Sequence, residues 1–215
     1  MNSNRKTSLV SGICYVLTFV SIPTLVLYKA VHNPNYITGQ GPDAAVIIGG
    51  MLEIIVALAG ISTAVVLYPV LKKQHESAAL GLVAARILES GTIFVGVAFL
   101  LAIVTLRQTG GGLPATGHTL AILYDRIFLL GQSFMPAICD LLLGIMFYRS
   151  RLVPRTLSLI GIIGAFPLLA GYFAILFGLI GQHSALAGLS ALLVALFEFS
   201  LGLYLIIKGF KPSQL

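Results

Sequence analysis

The chain reads as an all-α, polytopic membrane bundle of six transmembrane helices, and three observations carry that reading. Of its 215 residues, 58% are hydrophobic and only 9% are charged, against about 25% charged in soluble domains. Mean hydropathy is correspondingly high, at +1.01. Six apolar segments, 8–28, 44–71, 78–106, 119–148, 153–180 and 185–208, each reach the roughly 20 residues that cross a bilayer. The Lys and Arg residues gather between those segments. Together they make 1–215 a single transmembrane domain with little sequence left for a soluble catalytic module.

The first segment follows Arg5 and Lys6. It is longer than the roughly 7–15-residue apolar core of a signal peptide and reads as a retained helix. Period-2 alternation of the barrel kind is absent, so helix is expected throughout. The connections between segments 2 and 3 and between 4 and 5 are short, which predicts two antiparallel helical hairpins. Longer connections at about 29–43 and 107–118 hold turn formers: Asn33-Pro34-Asn35, Gly39 to Pro42, and Gly110 to Gly112. They read as mobile connectors. Pro136 predicts a kink in the fourth segment that frees the carbonyl of Gln132, and Pro167 a bend in the fifth. Gly161, Gly164, Leu168, Gly171, Ile175 and Gly178 form a small-residue packing seam on the fifth.

Orientation follows from the basic residues. With a cytoplasmic N-terminus, that side receives Arg5, Lys6, Lys72, Lys73, Arg149, Arg151, Arg155, Lys208 and Lys211, and the outer side only Lys29 and Arg107. This positive-inside bias puts both termini in the cytoplasm. Tyr28 and Tyr124 fall near the outer interface, and Tyr68, Tyr148 and Tyr204 near the inner one, as an anchoring belt would.

Four strings go beyond composition: LYPVLK at Leu67–Lys72, ARILES at Ala85–Ser90, YRSRLVPRTLSLIGIIGA at Tyr148–Ala165, and FEFSLGLYLIIKGF at Phe197–Phe210. With the six-segment layout, they make the chain resemble the bacterial membrane proteins of domain of unknown function family 4386. The likeness covers nearly the whole chain, with Thr156 and Tyr204 where the family often has Trp. It implies a six-helix protein of the bacterial cytoplasmic membrane. It implies no activity and supplies no catalytic residue.

Seven charged residues lie inside the apolar segments: Glu53, Arg86, Glu89, Asp125, Arg126, Asp140 and Glu198. Each costs on the order of 2.5–3.5 kcal/mol at membrane depth. A helical rise of about 1.5 Å per residue sorts them by depth. Arg86, Glu89, Asp140 and Glu198 fall in an inner layer, and Glu53, Asp125 and Arg126 in an outer one. Glu53, Asp140 and Glu198 share helix faces with small residues, so they are expected to point into the bundle. Two arginines can neutralise two of the five carboxylates, and the surplus is the functional clue.

It predicts a small permease or solute-binding membrane protein. Arg86, Glu89, Asp140 and Glu198 are its candidate ligand- or proton-binding groups, and Glu53, Asp125 and Arg126 are outer-layer candidates. The alternative is a non-transporting structural or regulatory protein whose charges only hold the bundle together. Expected partners are the lipid bilayer and a small solute or cation. Scattered basic clusters argue against nucleic acid, and the sequence specifies no oligomeric state. Cys14 and Cys139 lack metal-site spacing and read as small buried residues. His32, His75, His118 and His183 stand alone in connections or at segment ends and read as solvated. No metal, cofactor or catalytic motif is expected, and the chain reads as a non-enzyme.

Overall fold

With so few polar side chains, the backbone must satisfy its own hydrogen bonds, and the chain is helical almost throughout. A computed structural model describes residues 3–33, 35–39 and 41–211. Pro34 and Gln40, read above as turn formers, lie outside the described residues. The α-helices are α1 (Ser3–Thr18), α2 (Thr24–Leu27), α3 (Asp43–Gln108), α4 (Pro114–Phe128), α5 (Met135–Ser150), α6 (Arg155–Leu176) and α7 (Ala185–Ile207). Among the described residues, four helical rods are long and apolar enough to cross a membrane: α3, the α4–α5 rod Pro114–Ser150, α6 and α7.

The segments expected at 44–71 and 78–106 are the two arms of α3, whose 66 residues break only at His75, in extended backbone (φ −162°, ψ 99°). A straight helix of that length would be about 100 Å long. Instead Arg107, near one end, donates through Nε to Asp43 Oδ1 at the other, at 2.6 Å. The arms therefore fold back on each other as an antiparallel hairpin. Midway, Ser90 donates to the Ala57 carbonyl at 2.8 Å. His75 also caps the second arm, its Nδ1 accepting the Ala78 N–H at 3.2 Å.

The first segment is not one helix over 8–28. It starts at Ser3 and stops at Thr18, and a 3-10 turn at Phe19–Ser21 and the short α2 follow. Pro23 removes a donor here. The hydroxyls of Thr18, Ser21 and Thr24 each bond back to the carbonyl three residues earlier, at 2.7, 3.0 and 2.6 Å. Such back-bonding competes with the helical ladder and bends it.

Just before Pro136 the helix widens. Residues Leu129–Phe134 are π-helical, and the Met135 N–H bonds to the Leu130 carbonyl. Pro167 sits inside α6 without interrupting it. The seam on α6 is buried at Gly161, Gly164, Leu168, Gly171 and Ile175. Gly178 leaves it: at φ +70° it turns the chain out of the helix, so α6 ends at Leu176 rather than near 180.

Both described ends of the chain meet at one end of the bundle. Arg5 donates to the carbonyls of Leu205 (2.9 Å) and Ile206 (2.5 Å). It thereby satisfies orphan acceptors at the C-terminus of α7. The Lys211 N–H reaches the Leu152 carbonyl at 2.9 Å. Phe210, Leu152, Val153, Phe147, Leu71 and Ala79 share one buried cluster, so the 149–155 connection and the His75 turn lie at this end too. At the opposite end, some described residues of the 29–43 connection pack against the bundle. Tyr36 and Ile37 are buried, and the Tyr36 hydroxyl donates to Asp43 at 2.8 Å.

Candidate functional site

The four residues expected in the inner layer converge. Arg86 and Glu89 stand one turn apart on the second arm of α3, Asp140 projects from α5 and Glu198 from α7. Arg86 Nη1 donates to both Glu89 oxygens, at 3.1 and 3.0 Å. Its Nη2 donates to Glu198 Oε1 at 2.5 Å and lies 3.8 Å from Asp140 Oδ1. Three carboxylates thus share one guanidinium, leaving two formal negative charges if all ionise. Tyr15 of α1 packs its ring 5.7 Å from the guanidinium carbon, and the Cys139 thiol donates to Glu89 Oε2 at 3.5 Å.

Arg86 and Asp140 are buried at 2% and 0% exposure. Neither Asp140 oxygen, nor Arg86 Nε, has a hydrogen-bond partner among the described residues. Glu198 is half-buried and Glu89 is buried, and both line a cavity of about 200 Å³. Arg86, Glu89 and Glu198 line it together with Thr18 and Ser21. The broken first helix therefore does more than turn: it leaves the space that makes the cluster reachable. Gln132, from the π-helical turn, also lines it.

The expected outer layer divides into two places. Glu53 is buried at 1% exposure. It accepts the Tyr124 hydroxyl at 3.0 Å and the Gln132 amide at 3.5 Å. Asp125 and Arg126 face elsewhere, toward the turns at the bundle end. Asp125 Oδ1 lies 3.0 Å from His32 Nε2 and 3.9 Å from His183 Nε2. Arg126 is exposed and donates to Gln182 Oε1 at 2.9 Å. Glu53 meets Tyr124, yet the next residue, Asp125, meets His32: neighbours on one helix point to different sides, so a shared layer did not mean contact.

Tyr28 and Tyr124, expected at an interface, are interior. They are 4% and 5% exposed, with rings edge to face at 5.4 Å, above the buried Glu53. Tyr68 and Tyr148 stay half-buried beside Lys72 and Arg155. Nor are His32 and His183 isolated: the hydrogen bond to Asp125 raises His32 above the ordinary imidazole pKa. Sequence reasoning missed this grouping, together with Gln132, Tyr124 and Gln182, because loop histidines and neutral amides carry no periodic signal.

Fold and site together define an all-helical, membrane-type bundle with an acidic cavity at mid-depth. The chain belongs to the family described as Domain of unknown function (DUF4386), whose model matches residues 10–209. No curated protein and no solved structure matches it.

Proposed function

We propose that the protein is a six-span protein of the bacterial cytoplasmic membrane, with both termini in the cytoplasm. Its mid-membrane cavity takes up a small cationic solute, as a small permease or solute-binding protein. One observation carries the reading: a single guanidinium set against three carboxylates, two of which, Glu89 and Glu198, line a cavity. The uncompensated negative charge selects cations. A space of about 200 Å³ is smaller than the 300–1,000 Å³ typical of drug-sized ligand sites. That size suits an ion or a compact amine.

Purified protein is expected to be stabilised against heat by members of a panel running from methylammonium to tetramethylammonium. Glu198→Gln should weaken that binding at least about tenfold, since a carboxylate near a cation contributes upward of about 1.4 kcal/mol. Unchanged affinity in a folded Glu198→Gln protein would sink the proposal. The second reading, charges as structural glue, draws on the short bonds from Arg86 to Glu89 and Glu198. It predicts no stabilisation by any cation in the panel.

The crossing pattern has its own test. The two arms of α3 supply two spans, and α1 with α2, α4–α5, α6 and α7 supply the other four. In a chain whose native cysteines are replaced, Gly111→Cys should react with a membrane-impermeant maleimide in intact cells. Lys73→Cys should react only after permeabilisation. Equal labelling of the two sites would rule out the crossing between them.

A further inference from the structure

The bundle end remote from the termini carries a second constellation that the cavity does not use. His32 comes from the turn after α2, Asp125 from α4 and His183 from the α6–α7 connection. One donor atom from each lies within 4.8 Å of the others. We propose that His32, Asp125 and His183 bind a divalent metal of the zinc class.

The donor set comes first. Two imidazoles and one carboxylate suit zinc and its late transition-metal neighbours, whereas magnesium and calcium prefer all-oxygen sets. Geometry comes second. Bond lengths of about 2.0–2.2 Å around a tetrahedral zinc set its ligand atoms roughly 3.3 Å apart. His32 Nε2 and His183 Nε2 lie 3.0 and 3.9 Å from Asp125 Oδ1, so small side-chain rotations bring the three donors onto one ion. A fourth position is left for water.

Tautomer and support come third. The other ring nitrogen of His32, Nδ1, lies 3.3 Å from the Tyr28 carbonyl. A carbonyl only accepts, so Nδ1 carries a hydrogen and a neutral ring turns the Nε2 lone pair toward a carboxylate oxygen. Those two acceptors, 3.0 Å apart, are joined by a proton on Nε2 in a protonated ring or by a metal ion in a neutral one. A backbone carbonyl on the far nitrogen is also the usual outer support of a metal-bound histidine. Asp125 is held in turn: the Gln182 amide donates to its backbone carbonyl at 3.1 Å and accepts from Arg126 at 2.9 Å. The guanidinium of Arg126 is thereby engaged by Gln182. The side chain of His183 is 66% exposed and that of His32 32%, so an ion can enter from solvent.

Purified protein, stripped with a chelator and titrated with zinc chloride in a calorimeter, should bind one zinc per chain. Zinc should raise its unfolding temperature. His183→Ala, at an exposed position that leaves the fold intact, should weaken binding at least about tenfold. Loss of an outer support alone already costs that much. His32→Ala with His183→Ala should abolish both binding and stabilisation, whereas His75→Ala with His118→Ala should leave both unchanged. Wild-type protein without saturable zinc binding would overturn the proposal and leave a protonated His32 as the cation facing Asp125. Equal binding in the His32/His183 double variant would overturn it as well.

Discussion

Arg86→Ala should be the most damaging single substitution in the molecule, costing roughly 3–5 kcal/mol of folding stability. That is the scale for stripping one partner from a buried ion pair, and a large share of the roughly 5–15 kcal/mol that holds a typical domain together. The damage comes less from the lost attraction than from what remains. Glu89 and Glu198 lose donors at 3.0 and 2.5 Å. Asp140, fully buried and without a hydrogen bond among the described residues, loses the guanidinium 3.8 Å from it. Arg86→Lys should fall between wild type and Arg86→Ala. It keeps the charge, but one ammonium cannot reach Glu89 with one nitrogen and Glu198 with another as the guanidinium fork does. The triple variant Arg86→Gln, Glu89→Gln, Glu198→Gln should recover part of the loss, because it leaves one carboxylate of the cluster, Asp140, without its cation where Arg86→Ala leaves three. Thermal or denaturant unfolding of the four proteins in one detergent decides the matter. An Arg86→Ala protein as stable as wild type, or a triple no better than the single, would show that the cluster is solvated rather than mutually dependent.

That cluster was readable before any coordinates because helices in a low-dielectric setting convert residue number into depth. Arg86 and Glu89 meet by the i, i+3 rule. Asp140 and Glu198 arrive at the same level by counting back from the ends of their segments. Which acid takes which nitrogen was not readable, since that depends on how α7 rotates against α3. The outer residues show the limit more sharply. Asp125 and Tyr124 are neighbours on one helix, yet one meets His32 and the other Glu53. Depth alone does not resolve rotation about a helix axis. Two features not foreseen did leave marks in the sequence. Hydroxyls at Thr18, Ser21 and Thr24, spaced by three around Pro23, foretell the break that opens the cavity. A charged residue just before an apolar run, Asp43, foretells a partner for Arg107. The pairing of His32 with His183 left no such mark, because it depends on how two irregular connections lie over the bundle end.

The second large effect should come from adding a single methyl group, at Gly12. A Cβ there would lie 2.7 Å from the Gly202 carbonyl oxygen and 2.9 Å from the Ile206 nitrogen. Both are backbone atoms of α7, which no rotamer change can move aside. Gly91 in α3 is the control, because a Cβ there meets nothing within 4 Å. In both helices the exchange to Ala gains up to about 1 kcal/mol of intrinsic propensity. At Gly91 that gain stands alone, and Gly91→Ala should be neutral or stabilising. At Gly12 it is opposed by overpacking against a rigid neighbour, which costs roughly 1–3 kcal/mol, so Gly12→Ala should be destabilising. The effect should also travel. Pushing α1 from α7 pulls Arg5 from the Leu205 and Ile206 carbonyls it caps. It also shifts Tyr15, one turn along α1, whose ring lies against Arg86. Gly12→Ala should therefore lower the melting temperature and weaken cation binding in the cavity together. Gly91→Ala should do neither. If the two variants melt alike, the close approach of α1 to α7 is not what holds the charged cluster in place.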